Sequence, residues 1–432
     1  MSKQLPKNWI EVSLKEVTNN KKGKKPNIQS EVEFNGAVPY MDIKALEYNE
    51  IRQYADVESS KLFEEGDVAM VWDGARSGWV SKTNFGAIGS TLVAFHPILF
   101  NSNYLFYYLL EKYPFINSNA RGVGIPHVDP TILWDLKFPL SPLSEQNRIV
   151  EKLDNLFNQL DSIKKSMSNI PLLLKDFRQQ ILTQAVTGKL TVEWRKGKKL
   201  EKWNYELAQD CCEKVQSGGT PKGSNFDTSG IPFLKVYNIV NNKIDFEYNP
   251  QYVSESIQNS QIKKSITFPG DVVMNIVGPP LNKIAIIPDD YPEWNLNQAI
   301  TLFRTKNYLS NTFLYYFFCE GSSVKSLINE TKGVVGQVNI SLSQCRNFSI
   351  PVPSPKEQHE IVSKVESLFA KADAIEQQYK SLKEKIDNLP QSLLHKAFKG
   401  ELSEQLDGDG DARVLLKEIE TLKNSVKKPK KK

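Results

Sequence analysis

The chain has 432 residues, of which 40% are hydrophobic and 24% are charged, a composition typical of globular proteins. A formal net charge of +5 permits binding to nucleic acid but does not require it. The sequence has neither a run of about eighteen apolar residues nor an apolar N-terminal stretch, which argues against a membrane span and a signal peptide. The four cysteines form no C-x-x-C pair. We therefore expect a cytoplasmic protein without a metal site or disulfides.

Residues 1–143 are predicted to form one globular domain. Buried strands are expected at residues 68–72 and 90–95, where β-branched and aromatic residues cluster. An aromatic-rich helix is expected at residues 103–112, with an asparagine as its N-cap. The alternation of these elements, with a small irregular sheet, indicates an α+β (mixed α/β) domain.

The basic residues that stand out in this domain lie in three loops, and a basic loop can bind the DNA backbone or the base edges. Arg76 lies near Trp79 in a loop between glycines, where its side chain could enter a groove of double-stranded DNA. For every loop the alternative is a solvated or structural turn. The candidate DNA-binding residues here are Lys21, Lys22, Lys24, Lys25, Arg76 and Arg121.

Residues 144–199 are predicted to form a helical spacer that contains a heptad repeat. Glu145 and Gln146 follow a Pro-rich stretch, and apolar residues then recur at alternating steps of four and three, which is typical of a coiled coil. Pro171 should kink this helix or begin a new one, and Gly188 should end it. The predicted seam residues are Ile149, Leu153, Leu156, Leu160 and Ile163.

The same organisation then repeats. Residues 200–355 contain strands predicted at 272–277 and 299–303 and an aromatic helix at 311–320, each matching an element of the first domain. Polar residues of its loops are further candidates for DNA contact, with structural turn roles as the alternative. These candidates are Lys222, Asn275, Lys283, Lys332, Gln337 and Asn339.

The second helical segment, residues 356–405, matches the first without a gap at an offset of 212 residues. Pro390 lies inside its pattern and Gly400 at its end, so we expect a kink or break at the first and a stop at the second. Its seam residues are Ile361, Val365, Leu368, Ile375 and Leu382. Residues 406–432 are expected to form an exposed linker at 407–411, a short amphipathic helix and a lysine-rich end, either solvated or attracted to phosphates.

Two like helices in one chain pair most simply as an antiparallel coiled coil. The chain would then be a pseudo-two-fold tandem repeat, with two globular domains separated by two long helices. Duplex DNA has a local dyad, so two-fold proteins read inverted half-sites. Because the two domains differ in sequence, the two half-sites should differ as well, and the helices should fix the gap between them.

The residues at both helix starts and ends resemble those of type I restriction–modification specificity subunits. The similarity lies in Glu145-Gln146 with Ile149-Val150, in Glu357-Gln358 with Ile361-Val362, and in the helix-end sequences around Gly188 and Gly400. Ser217-Gly218-Gly219-Thr220-Pro221 resembles the opening of a target-recognition domain of that family. The resemblance covers nearly the whole chain and is weakest in the C-terminal tail. The first domain departs from it, because lysines stand where the second domain has this glycine loop.

The resemblance implies a non-catalytic subunit that binds double-stranded DNA. It also implies two DNA-methylation subunits and additional translocase–nuclease subunits as partners. Binding to a membrane is not expected. S-adenosylmethionine, ATP and magnesium would be bound only by the partners, so we expect no cofactor in this chain.

Two other functions are alternatives for a chain of this organisation. A self-contained DNA methyltransferase or nuclease would need an Asn/Asp-Pro-Pro-aromatic loop, a nucleotide-binding loop or a metal-ligand cluster, and the sequence contains none of these. A structural coiled-coil tether with two protein-binding domains would need no basic loops. DNA capture together with methylation partners would separate the tether from the recognition subunit.

Overall fold

The structure, a computed structural model, describes residues 5–83, 85–223, 226–278, 280–330 and 339–426. The chain divides into two compact units. The first combines Met1–Met167 with Ser381–Lys432, and the second is Ser168–Lys380. The described sequence thus contributes both of its ends to the first unit and one continuous stretch to the second.

The elements follow the predicted order of domain, helix, domain, helix. The strands and helices of the first domain and first helical segment are β1 Ile10–Ser13, α1 Leu14–Val17, β2 Thr18–Lys22, β3 Gln29–Ser30, β4 Ala37–Met41, α2 Ile43–Tyr48, β5 Tyr54–Asp56, β6 Val68–Val71, β7 Val80–Lys82, β8 Ala87–Ile88, β9 Leu92–Pro97, α3 Ser102–Ser118, α4 Pro130–Trp134, β10 Lys137–Leu140, α5 Leu143–Met167, α6 Ile170–Val186 and α7 Val192–Arg195.

The second half repeats this order and adds a C-terminal helix. Its elements are β11 Asn204–Leu207, α8 Ala208–Cys211, β12 Cys212–Ser217, β13 Ile231–Leu234, β14 Ile239–Val240, β15 Lys243–Ile244, β16 Tyr252–Val253, α9 Glu255–Ser260, β17 Val272–Asn275, β18 Ile284–Ile286, β19 Asn295–Leu296, β20 Ile300–Thr305, α10 Asn311–Glu320, α11 Ser322–Glu330, α12 Leu342–Arg346, β21 Ser349–Val352, α13 Pro355–Phe398 and α14 Ala412–Val426. Short 3-10 helices lie at Lys189–Thr191, Val236–Asn238, Lys263–Ser265 and Asp407–Asp409.

Each unit contains an equivalent four-stranded antiparallel sheet. The strand order is β2-β9-β6-β7 in the first and β12-β20-β17-β18 in the second. All four residues of β6 are buried, because Val68 and Met70 face one core while Ala69 and Val71 face another. Two further sheets, β3-β5-β4-β8 and β16-β13-β19, each contain one parallel pair, β4 with β8 and β13 with β19. The predicted mixed α+β architecture is confirmed.

The Pro-rich stretches before the long helices are strands. β10 pairs with β1, and β21 pairs with β11, each in a two-stranded antiparallel ribbon. A proline cannot donate a backbone hydrogen bond, so it is tolerated where one side of a strand has no partner. Each ribbon therefore fixes where a long helix leaves its domain.

The aromatic helix of the second domain has the predicted bounds, but both aromatic helices have different N-cap residues from those expected. Asn101, not Asn103, caps α3, since its side chain accepts from the backbone of Asn103 at 2.8 Å. Ser310 caps α10 by accepting from the backbone of Phe313 at 3.3 Å. The helix α3 also continues through Pro114 to Ser118, beyond the predicted end.

The helical segments run antiparallel within each unit. In the first unit Lys164 of α5 lies 3.8 Å from Asp387 of α13, and Arg148, earlier in α5, pairs with Asp409, later in the chain. In the second unit Arg178 of α6 pairs with Asp373 of α13 at 2.6 Å. A new helix begins at Pro171, as predicted, whereas α13 continues through Pro390 without a break. Gly188 and Gly400 follow the helix ends with φ of 74° and 70°.

The predicted seam is only partly buried. Ile149, Leu153, Leu160, Ile361 and Val365 are buried, and Leu156 and Leu368 are half-buried against the same cores. Ile163, Ile375 and Leu382 are exposed, so their prediction as buried seam residues is wrong. The buried members mostly lie where a globular domain covers the helices, and the exposed ones lie farther along.

Glu145 and Glu357 anchor the two helix starts in the same way. Both carboxylates are buried and accept hydrogen bonds from the segment that follows the end of the antiparallel helix, and Glu145 accepts one more from near the N-terminus. The donors to Glu145 are Trp9 Nε1 at 2.8 Å, Ser403 Oγ at 3.0 Å and Gln405 Nε2 at 2.9 Å. The donors to Glu357 are Thr191 Oγ1 at 2.6 Å and Arg195 at 2.6 and 2.9 Å. Thr191 and Ser403 are 212 residues apart, so the repeat extends to this contact.

The C-terminal segment completes the first unit. Ala412 and Ile419 of α14 are fully buried in its core, and Lys423 Nζ donates to the carbonyl oxygen of Lys15 at 2.6 Å. Asp409 forms two hydrogen bonds of 2.6 Å with Arg148, and its side chain is only 3% exposed. The prediction of an exposed linker at residues 407–411 is therefore wrong at Asp409, because this carboxylate pairs with a helix arginine.

Replacing Asp409 by asparagine is expected to cost roughly 1.5–3 kcal/mol of stability at neutral pH, the usual value of hydrogen bonds to a charged group. The hydrogen bonds from Arg148 lower the pKa of Asp409 from 3.8 to about 2. The stabilisation is therefore complete above pH 3.8 and is lost as the pH falls towards 2. Urea unfolding at several pH values should show this difference shrinking below pH 4, whereas exposed Asp407→Asn should have little effect at any pH.

Candidate nucleic-acid interface

The four lysines predicted to bind DNA in the first loop of the first domain have different environments. Lys21 forms an ion pair with Glu64 and donates to the carbonyl oxygen of Leu62 at 3.2 Å. Lys22 lies 3.6 Å from Asp73. Lys24 and Lys25 are exposed beyond the end of β2, and no described residue forms an ion pair with them. Lys24 and Lys25 are thus the members most accessible to phosphates, while Lys21 stabilises a turn of the domain.

Arg76 is held on two sides. Its Nη1 lies 2.6 Å from a carboxylate oxygen of Glu47, and its guanidinium carbon lies 4.5 Å from the ring centroid of Trp79. The loop itself depends on Gly74 and Gly78, whose φ angles of 114° and 90° disfavour other residues. One terminal nitrogen of Arg76 is therefore already occupied, and 37% of the side chain is exposed.

A second loop lies against the Arg76 loop. Gly74 N donates to the carbonyl oxygen of Pro126 at 2.7 Å, which joins the two loops. Arg121 and His127 exchange two backbone hydrogen bonds of 2.8 Å, closing the loop between them. Val123 and Ile125 at its tip are exposed. Basic and apolar side chains are thus presented together at one end of the four-stranded sheet.

Arg121 is oriented by Asp129. The Nε of Arg121 pairs with a carboxylate oxygen of Asp129, and Asp129 also caps α4 by accepting from Thr131 N at 2.9 Å. Burial alone would raise the pKa of Asp129, but the backbone hydrogen bond from Thr131 and the charge of Arg121 outweigh it and lower the pKa. Asp129 is therefore ionised at neutral pH and holds the arginine by its inner nitrogen.

A polar cleft of about 500 Å³ opens near these loops, beside Thr91, whose carbonyl oxygen accepts from Trp72 N at 2.8 Å. Sequence reasoning did not find its basic and aromatic residues, because they come from separate strands and loops. The lining side chains include Tyr40, Asp42, Lys44, Arg52 and Gln53.

The candidates of the second domain are less accessible. Asn275 is fully buried; its amide donates to the carbonyl oxygen of Pro280 at 2.9 Å and accepts from Lys283 N at 2.7 Å. It therefore stabilises the loop and has no exposed surface for DNA in this conformation. Lys283 donates to the carbonyl oxygen of Val236 at 3.4 Å, while Lys222 and Asn339 are exposed. Lys332 and Gln337 lie outside the described residues.

Within the described ranges, no group of three or more His, Cys, Asp or Glu side chains is arranged to hold a metal ion. The cysteines are all free, and Cys211, Cys212 and Cys345 are buried. Among the helices that the structure describes, none combines the length and apolarity that a membrane span requires.

Comparison with known proteins defines the class. The family model described as the type I restriction modification DNA specificity domain matches residues 6–171 and 201–384. The chain therefore belongs to this family.

Individual relatives support the same assignment. The chain is 32% identical to the specificity subunit of the type I restriction enzyme EcoBI of Escherichia coli, over 73% of this chain and 70% of that protein. It is 29% identical to the EcoDI specificity subunit of Escherichia coli, over 96% of this chain and 95% of that one. In fold it is similar to the crystal structure of the HsdS subunit from Thermoanaerobacter tengcongensis, with a TM-score of 0.65 and 19% identity over 92% of this chain and 98% of that chain.

Proposed function

We propose that this chain reads a bipartite, asymmetric DNA target for a type I restriction–modification complex, with one half-site assigned to each domain. The observation that carries the proposal is the duplication itself. Each unit has the same four-stranded sheet and the same helix-anchoring glutamate. The loops differ between the two domains, so one framework supports two recognition surfaces. Such a chain specifies two different sequences of bases.

Methyl transfer, translocation and DNA cleavage would be carried out by partner subunits. In the family this chain belongs to, recognition is the subunit's role, and the residues that the structure describes contain no group of His, Cys, Asp or Glu side chains arranged to hold a metal ion. S-adenosylmethionine, ATP and magnesium would accordingly bind to methylation and translocase–nuclease subunits. The chain itself would supply only DNA contacts and docking surfaces.

Exposed apolar residues at equivalent positions of the two units favour two copies of the methylation subunit. In the first unit Ile163 and Leu389 are exposed beside the ion pair of Lys164 and Asp387. In the second unit Ile375 and Phe177, the residues 212 positions away, are exposed beside Arg178. A surface feature that occurs twice favours a partner that binds twice.

Methylome sequencing of cells with and without this chain tests the proposed function. We expect one bipartite adenine-methylation motif to disappear when the chain is removed and to return when it is restored. The purified chain alone should transfer no methyl group, whereas the reconstituted complex should methylate that motif. Methyl transfer by the isolated chain, or a methylome that does not change, would contradict the proposal.

A further inference from the structure

We propose that Arg121 reads a guanine in the half-site of the first domain, and that Asp129 is the positioning residue that makes this reading possible. The inference rests on the proposed DNA-reading function and names one base and two side chains within it. Four observations carry it: the atom by which Arg121 is held, the rigidity of its loop, its exposure, and the replacement of the pair in the second domain.

The first observation is the geometry of the ion pair. Asp129 contacts Nε of Arg121, the nitrogen nearest the chain. The two terminal nitrogens have no partner among the described residues, and 57% of the side chain is exposed. An arginine reads guanine by donating two hydrogen bonds to O6 and N7 in the major groove. The donors required for that contact are those that Asp129 leaves available.

The second observation is that both members of the pair are fixed. The backbone of Arg121 is closed onto His127 by two hydrogen bonds of 2.8 Å, and Val128 N donates to the carbonyl oxygen of Trp72 at 2.9 Å. Asp129 is buried and caps α4. A flexible cation suits phosphates, but base reading needs a guanidinium fork in a defined orientation. The structure provides that orientation before DNA binds.

The third observation is a contrast with Arg76, the arginine of the adjoining loop. Glu47 occupies a terminal nitrogen of Arg76, and Trp79 covers one face of its guanidinium. Arg76 would have to release Glu47 before it could donate both terminal nitrogens to a base. Arg121 needs no such change, so we assign it the base-specific role.

The fourth observation is that the second domain lacks this pair. Ser341 occupies the position equivalent to Asp129 and caps α12, its hydroxyl accepting from Gln344 N at 3.2 Å. The sequence places Lys332 where the first domain has Arg121. The helix cap is thus common to both domains, and the carboxylate that orients an arginine occurs in the first. The guanine reading should therefore be confined to one half-site.

The test uses the complete complex and a panel of duplexes carrying every single base-pair substitution in both half-sites of the methylome motif. Wild-type complex should discriminate at positions in both halves. Arg121→Ala should lose about 10- to 100-fold discrimination at one G·C pair of one half-site and retain it elsewhere. Asp129→Ser, which keeps a residue able to cap α4, should reduce discrimination at the same base pair. Adding Asp129→Ser to Arg121→Ala should cause no further loss there.

Other outcomes would overturn the inference. If Arg121→Ala weakened all duplexes uniformly and reduced the salt slope by about one, Arg121 would be a phosphate contact. Unchanged discrimination in Arg121→Ala, or loss of discrimination at the same pair only in Arg76→Ala, would also reject it. If Asp129→Ser affected a different position from Arg121→Ala, the positioning role would fail. A wild-type complex that discriminates at no position would instead contradict the proposed function.

Discussion

Replacing Phe398 by alanine is expected to destabilise the first unit by about 3–5 kcal/mol, the usual cost of removing a buried phenylalanine ring. Phe398 lies at the end of α13, far along the chain from the domain that it completes. Its ring centroid lies 5.1 Å from that of Tyr104 and 5.4 Å from that of Tyr108, both in T-shaped geometry. Truncation would leave a cavity against two fully buried tyrosines, and the surrounding helix can collapse only partly.

The measurement is urea unfolding of the full chain, monitored by tryptophan fluorescence, because Trp9 is buried in the same core. We expect the transition of the first unit to move to lower urea while that of the second unit is unchanged. Leu389→Ala, an exposed position on the same helix, is the control and should change stability by less than about 1 kcal/mol. Equal effects of the two substitutions would show that Phe398 is not part of the core.

Replacing Glu357 by alanine should destabilise the second unit by about 3 kcal/mol at neutral pH, the lower end of the cost of breaking a buried ion pair. The lower end applies because Arg195 keeps partial contact with water, whereas the Glu357 side chain is buried. Removing the carboxylate leaves the Arg195 guanidinium without its acceptor, and the Thr191 hydroxyl keeps only a longer contact of 3.3 Å to the carbonyl oxygen of Gly188. Exposed Glu366→Ala, on the same helix, should have almost no effect.

The loss of stability caused by Glu357→Ala should depend on pH. Burial alone would raise the pKa of Glu357, but the hydrogen bonds from Arg195 and Thr191 outweigh burial and lower the pKa below its ordinary value of 4.5. The stabilisation is therefore fully present above pH 4.5 and is lost as the pH falls through the lowered pKa. Thermal unfolding between pH 3 and 7 would disagree with this account if the wild type and Glu357→Ala differed by the same amount throughout.

Much of the fold could be predicted from the sequence because the pattern of one domain followed by one helical segment occurs twice. The unbroken offset of 212 residues located both long helices, and the buried strand Val68–Val71 follows directly from its apolar composition. The antiparallel pairing of like helices followed from the same repeat. Helix caps were less certain, since any asparagine or serine near a helix start is a plausible cap, and only the backbone decides between Asn101 and Asn103.

The candidate site could be predicted only in part. Sequence pattern identifies a basic residue in a glycine loop, but it does not show which atom of that residue is occupied. Asn275 was a reasonable candidate until its amide was found to hydrogen-bond within its own loop. Glu47 and Asp129 carry no sequence signal for their pairing with Arg76 and Arg121. The first pair depends on the tertiary fold, and the second depends on the backbone hydrogen bonds that close the loop between Arg121 and His127. Asp409 was missed for the same reason, its partner lying 261 residues earlier.

The division of the first unit between the two ends of the chain has a consequence for biosynthesis. A nascent domain normally folds soon after it leaves the ribosome, at a synthesis rate of about 5–20 residues per second. Residues 168–380 can do so as one continuous stretch. The N-terminal domain, by contrast, must wait for Leu394, Phe398 and Ile419 before its core is complete. That delay amounts to roughly 13–50 seconds at those rates, during which the earlier-made half is the one that needs protection from aggregation and proteolysis.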